Sequence, residues 1–257
     1  MYIDIEAVKA IVKQAGGLFS DRVAADHIHT KGVADFVTEV DMEVQSFVQA
    51  KLYELYPDIQ FMGEEKSNEE IDKSGLVWIL DPVDGTTNLI RDYKCSAVSL
   101  ALFENRKAVL GIIYDPYRDE LYEAQAGKGS YLNGKRITVS KVDCLEKSLV
   151  AIGTSPYNKE LAEVNFSLFQ KVFANCLDIR RSGSAAIDLA HVACGRVDCL
   201  LERNLKIWDY AAGNLLVREA GGVVWNYEGI DVEDENASDI LAGNTVIPEL
   251  IKKEILG

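Results

Sequence analysis

Apolar residues Ile5, Val8, Ile11, Val12, Ala15 and Phe19 recur at the helical period, with Asp4 placed to cap the first turn. The spacing predicts an amphipathic helix within residues Met1–Phe19. Val44, Phe47, Val48, Leu52 and Leu55 repeat the pattern until Pro57 stops it. The period then falls to two. Val77–Leu80, Ala97–Phe103, Ala108–Tyr114, Glu120–Ala126 and Ile137–Val139 read as strands, parted by turn residues at Asn105, Asp115-Pro116, Gly127-Lys128-Gly129 and Asn133-Gly134. Strands joined in succession by such short turns predict an antiparallel meander.

From Cys144 onward the pattern is mixed. It predicts a strand at Leu149–Ile152, a helix over Glu160–Asn175, a short strand at Asp178–Arg180 and a helix opened by Ser184. A strand at Val197–Leu201, a helix at Asp209–Glu219 and strands near Val223 and Ile240 follow. Helices segregated around antiparallel sheets point to an α+β fold in two tightly packed halves, 1–144 and 145–257.

Composition narrows the function. The 257 residues are 48% hydrophobic, with 27 Lys+Arg against 41 Asp+Glu and a formal net charge of −14. That balance is the reverse of a nucleic-acid binder's, so no direct nucleic-acid partner is expected. The longest apolar runs fall short of the roughly 20 residues a membrane span needs. The charges at Asp4, Glu6, Lys9 and Lys13 do not suit a signal peptide. Five cysteines, odd in number and without a C-x-x-C pair, suit neither a disulfide framework nor a zinc ribbon. Reduced thiols and a soluble, cytoplasmic protein are the expectation.

Four segments place a carboxylate beside a turn or helix start. In Trp78–Asn88 an apolar strand delivers Asp81, Pro82 turns the chain, Asp84 comes round, Gly85 permits a close approach, and Thr86 and Thr87 open a helix. Two carboxylates then flank free helix N–H groups that suit a phosphate oxygen. Glu64 and Glu65 follow the short apolar strand Ile59–Met62. Asp35–Asp41 leads into the second helix, with Asp41 as cap or as catalytic group. Trp208–Gly213, continuing to Glu219–Gly222, puts Asp209 at a further helix start. All-oxygen ligands of this kind favour Mg²⁺ over Zn²⁺, and bound cations would let so acidic a chain attract an anionic ester.

These motifs, DPVDGTTN, VTEVD, GEE and WDYAAG with its EAGG tail, identify the chain as resembling the inositol monophosphatase family over nearly its whole length. The resemblance implies an αβαβα layered sandwich and a magnesium-dependent, lithium-sensitive phosphatase. Carried over, Glu64, Asp81 and the carbonyl of Val83 hold one metal; Asp81, Asp84 and Asp209 hold a second, and Glu64 reaches a loosely held third. Gly85 and Thr86 bind phosphate, Asp41 and Thr86 orient the water, and Ala185 and Glu202 stand where the family contacts inositol hydroxyls. Asp84 and Asp209 also face the substrate. The resemblance further implies a homodimer.

Rival chemistries fit less well. The spacing is Asp-x-x-Asp rather than the Asp-x-Asp of haloacid-dehalogenase-type phosphatases, and neither a serine-hydrolase elbow nor a P-loop is present. Within the superfamily, Thr87 stands where bisphosphate nucleotidases usually carry Lys, which favours inositol 1-phosphate or a related sugar phosphate. Leu89–Lys94, with Arg91, departs from the usual family segment; Arg203 and Lys206 near the expected mouth favour a second phosphate, as in fructose 1,6-bisphosphate. A transcription-associated regulatory role, as some bacterial relatives have, is the alternative of a different class.

Overall fold

The computed structural model describes residues 2–32 and 35–257; Met1, at the head of the first expected helix, lies outside them. Asp4 accepts from the Ala7 amide at 3.1 Å and starts helix α1 (Ile5–Gly17). Asp21 caps a short helix α2 (Arg22–Asp26), and an antiparallel hairpin of β1 (Ile28–Gly32) and β2 (Asp35–Thr38) follows, where no periodicity marks an element. Helix α3 (Glu39–Leu55) begins well before its first apolar repeat at Val44, because a capping box between Thr38 and Asp41 satisfies its free N–H groups.

The first sheet contains β3 (Gln60–Gly63), β4 (Leu76–Asp84), then, after the short helix α4 (Thr86–Ile90), β5 (Ala97–Glu104), β6 (Lys107–Asp115), β7 (Glu120–Gln125), β8 (Gly129–Leu132) and β9 (Lys135–Ile137). Its spatial order follows the chain, and every neighbouring pair is antiparallel except β3 and β4. The meander is therefore present. Three details differ: β4 runs on past Leu80 and Pro82 to Asp84, Gly129 opens β8 rather than closing a turn, and the last strand ends at Ile137 rather than running to Val139.

The second sheet is built from β10 (Leu149–Ile152), β11 (Asp178–Arg180) after helix α5 (Ala162–Asn175), β12 (Cys199–Lys206) after helix α6 (Ala185–Ala193), and then β13 (Val223–Trp225) and β14 (Ala237–Gly243) after helix α7 (Ile207–Glu219). A closing helix α8 (Ile247–Ile251) follows. The sheet order is β11-β10-β12-β14-β13, parallel on the β11 side and antiparallel on the β13 side. β12 starts at Cys199 instead of Val197 and runs on to Lys206.

Three apolar clusters stack these elements into five layers. Trp78, Leu80, Leu100 and Ile112 face α1 and α3, whereas Val77, Ile79, Ala101 and Ile113 face α6 and α7. The alternation gives β4–β6 a buried residue on each face, which is why they read as nearly continuous apolar runs. Leu200, Ile240 and Ala242 pack on the other side of α6 and α7, and Leu201 and Leu241 pack against α5 and α8. Each fully buried side chain of this kind is worth roughly 1.5–3 kcal/mol. The αβαβα sandwich is thus the observed architecture, with α6 and α7 sealed between two sheets. Among the described residues no helix is long and apolar enough to cross a membrane.

Candidate active site

Asp81 and Asp84 lie three positions apart, a spacing that would point them to opposite faces of a regular strand. The ladder to β5 prevents this, because Asp81 pairs with Ser99 and Asp84 with Ala97, leaving an extra residue on β4. This bulge returns both carboxylates to one side, and Pro82, which has no N–H to donate, sits within it. Val83 donates its amide to Asp81 Oδ1 at 3.0 Å. Gly85 then takes φ +94°, and a Cβ there would stand 3.0 Å from the Cys95 carbonyl oxygen. Glycine is the residue that turns here without strain, and α4 begins directly after it.

Other layers bring the remaining groups. Asp209 lies in the first turn of α7, where its Oδ2 accepts from the Lys206 amide at 2.7 Å. Asp84 Oδ2 accepts from the Ala186 amide at 2.7 Å and from the Ser184 hydroxyl, both at the start of α6. Glu64 follows β3, and its amide donates to the Leu80 carbonyl at 3.2 Å. The buried Asp41 accepts from the Thr38 amide at 2.8 Å and from Thr86 Oγ1 at 3.0 Å; Thr86 Oγ1 is also 3.1 Å from the Val83 carbonyl. Carboxylate oxygens of Asp81, Asp84 and Asp209 all lie within 4.8 Å of one another.

Such crowding works against ionisation. Burial first, and then the charges of Glu64, Asp84 and Asp209, push the Asp81 carboxyl well above its ordinary value. Burial pushes Asp84 up to about 6 against the opposing bonds from Ser184, Ala186 and Ala185. Asp209 is raised well above its usual range by burial and by Asp84. A hard cation reverses this balance. Oxygen ligands on one octahedral Mg²⁺ at ~2.1 Å stand about 3–4 Å apart, a separation that the cluster can meet. Asp81 and Asp209 are each oriented by a backbone amide, and Asp84 by an amide and a hydroxyl. The donor set therefore fits Mg²⁺.

A cavity of about 180 Å³ opens beside the cluster and is lined by Glu64, Asp84, Gly85, Thr86, Ala185, Glu202 and Asp209. Every substrate-side residue expected from sequence is among them. Asp41, Asp81 and Val83 are buried at 0%, 2% and 1% exposure and do not line the cavity. Two charged cavity residues escape sequence reading, Asp188 and Arg181. Asp188 sits in the first turn of α6, where a helix-start carboxylate is ordinarily a surface group, yet burial raises it to about 7.

The cations expected at the mouth require correction. Arg203 Nη1 bonds Asp239 Oδ2 at 2.6 Å and its guanidinium lies 4.5 Å from the centre of the Tyr227 ring, so it is held outside the cavity. The exposed Lys206 side chain is 3.5 Å from Asn204 Oδ1 and does not line the cavity either.

Comparison with known proteins agrees with this geometry. The model of the inositol monophosphatase family matches residues 1–256. The chain belongs to that family. It is 38% identical over 254 residues to "Nus factor SuhB" of Escherichia coli strain K12, covering 96% of this chain and 91% of that protein. "Inositol-1-monophosphatase" of Bacillus subtilis is 34% identical over 254 residues, covering 98% and 96%. Among solved structures, the extragenic suppressor protein suhB from Bartonella henselae superposes with a TM-score of 0.90 at 35% identity, covering 97% of this chain and 96% of that one. Family relatives thus carry names of two kinds, Nus factor and inositol-1-monophosphatase.

Proposed function

We propose that the protein is a Mg²⁺-dependent phosphomonoesterase that hydrolyses inositol 1-phosphate or a related sugar phosphate by direct attack of water. The observation that carries this reading is the convergence of Asp81, Asp84 and Asp209 within 4.8 Å at a cavity that Thr86 and Glu64 also line. Glu64, Asp81, Asp84, Asp209 and the Val83 carbonyl would hold Mg²⁺, which supplies Lewis-acid polarisation of the phosphate and a lowered pKa of water. Thr86 donates its proton to Asp41 Oδ1, which leaves a lone pair on Oγ1 to accept from the attacking water. Asp41 fixes that hydroxyl and is the proton acceptor behind it. The amides of Gly85 and Thr86 bind phosphate oxygens, and Ala185 and Glu202 face the alcohol.

A regulatory reading is favoured by the relatives named Nus factor, and it is compatible with catalysis. A purely regulatory chain has no need of the three converging carboxylates, whose mutual repulsion costs stability. The test is phosphate release from inositol 1-phosphate with Mg²⁺ and with chelator, together with the stereochemistry at a chiral phosphate. Mg²⁺-dependent release with inversion supports the proposal; absence of release, or retention, refutes it.

A further inference from the structure

Arg203 and Lys206 leave the alcohol side of the cavity to another cation. Arg181, just past the end of β11, lines it together with Gly153, Gly183, Asp188 and Glu202. Both charged heads rest on bare backbone. A Cβ at Gly153 would stand 1.8 Å from Glu202 Cδ, and one at Gly183, where φ is +88°, would stand 2.4 Å from Arg181 Nη1. Glycines at these two positions leave room for a carboxylate within β12 and a guanidinium just past the end of β11.

The acceptors are fixed and the donor is accessible. Glu202 and Asp188 are 9% and 3% exposed, and Asp188 Oδ2 is held by the Ser182 hydroxyl at 2.7 Å. Arg181 is exposed, and its Nη2 makes a long contact of 3.4 Å with Thr154 Oγ1. Among the described residues no hydrogen bond joins Arg181 to Glu202; the guanidinium acts on that carboxylate through space.

The geometry points to Arg181 as a specificity-determining residue that works with Glu202 to select a neutral polyol, rather than a second phosphate, in the alcohol half of the substrate. The inference rests on the phosphomonoesterase reading above. A hydroxyl both donates and accepts, so it can give its proton to Glu202 while taking one from the guanidinium. Neighbouring hydroxyls of a ring can divide the two tasks. A phosphate only accepts: it would satisfy Arg181 but face the buried carboxyls of Glu202 and Asp188, beside which Arg181 is the one cation lining the cavity among the described residues. Sites that bind hydroxyls in this way discriminate strongly, because an analogue without them leaves buried polar groups unpaired.

The experiment measures kcat/KM with saturating Mg²⁺ on inositol 1-phosphate, fructose 1,6-bisphosphate and p-nitrophenyl phosphate, which has no alcohol hydroxyls. Wild type, Arg181→Ala, Arg181→Lys and Glu202→Gln are compared. Wild type is expected to prefer the inositol ester over the bisphosphate by more than tenfold. Arg181→Ala should lose at least tenfold on the inositol ester, chiefly in KM, and less than threefold on p-nitrophenyl phosphate, with Arg181→Lys recovering part. Equal losses on all three esters would make Arg181 merely structural and overturn the inference. So would a wild-type preference for the bisphosphate that Arg181→Ala abolishes. If wild type cleaves none of the three, the phosphatase reading itself falls and the inference with it.

Discussion

Replacing Asp81 by Asn should stabilise the metal-free protein while removing its response to Mg²⁺. Asn keeps an oxygen for the Val83 amide but deletes a charge that lies within 4.8 Å of Asp84 and Asp209. Two like charges at that separation repel by about 3.5 kcal/mol at an effective dielectric of 20, and proton uptake limits what is actually felt. A gain of about 1–3 kcal/mol in chelator follows, or a rise in Tm of about 3–10 °C for a chain of this size. Because the folded Asp81 carboxyl titrates well above 3.8, it is protonated in acid and the repulsion vanishes. The gain is therefore present near pH 8 and fades as the pH falls toward the ordinary value. For wild type, Mg²⁺ at a hundred times its Kd should add about 2.7 kcal/mol. The assay is thermal unfolding of both proteins in chelator and in Mg²⁺ across this pH range. A lower Tm for Asp81→Asn in chelator, or an unchanged response to Mg²⁺, would refute the reasoning.

Three further outcomes are expected. Thr86→Ala should lower kcat by about 10²–10⁴ with a smaller change in KM, since it removes the hydroxyl between water and Asp41; steady-state kinetics in Mg²⁺ checks this. Gly153→Ala should displace Glu202, whose Cδ lies 1.8 Å from the new methyl position, and raise KM for inositol 1-phosphate while sparing p-nitrophenyl phosphate. Li⁺ should inhibit uncompetitively at millimolar concentration by taking the place among Asp81, Asp84 and Asp209 after the alcohol leaves; insensitivity at tens of millimolar would mean that this place is altered.

The acidic residues of the cluster are legible in the sequence because Glu64, Asp84 and Asp209 each sit where a strand ends or a helix starts; Asp81, expected at a strand end, lies within β4 instead. The bulge that aligns Asp81 with Asp84 is less so, since it depends on register with Ser99 and Ala97. Distant partners decide the rest. The β1–β2 hairpin is polar and short, and it leads into α3 through the Glu39 amide, which bonds the His27 carbonyl at 3.2 Å. Asn204, at φ +56°, and Arg203 break the apolar run of β12, which hides its extension to Lys206. Which arginine faces the cavity is likewise set by Asp239 and Tyr227, far along the chain, which draw Arg203 away and leave Arg181.

The bonds from Ser184 and Ala186 to Asp84 make the amino end of α6 a clasp on β4. Opening the clasp would free the Asp84 oxygen they hold and loosen the aim of a proposed metal ligand, so occupancy of the site should favour closure of the central layer. Amides in the first turns of α6 should therefore exchange with deuterated solvent more slowly when Mg²⁺ is present, although none of them belongs to a residue proposed as a ligand.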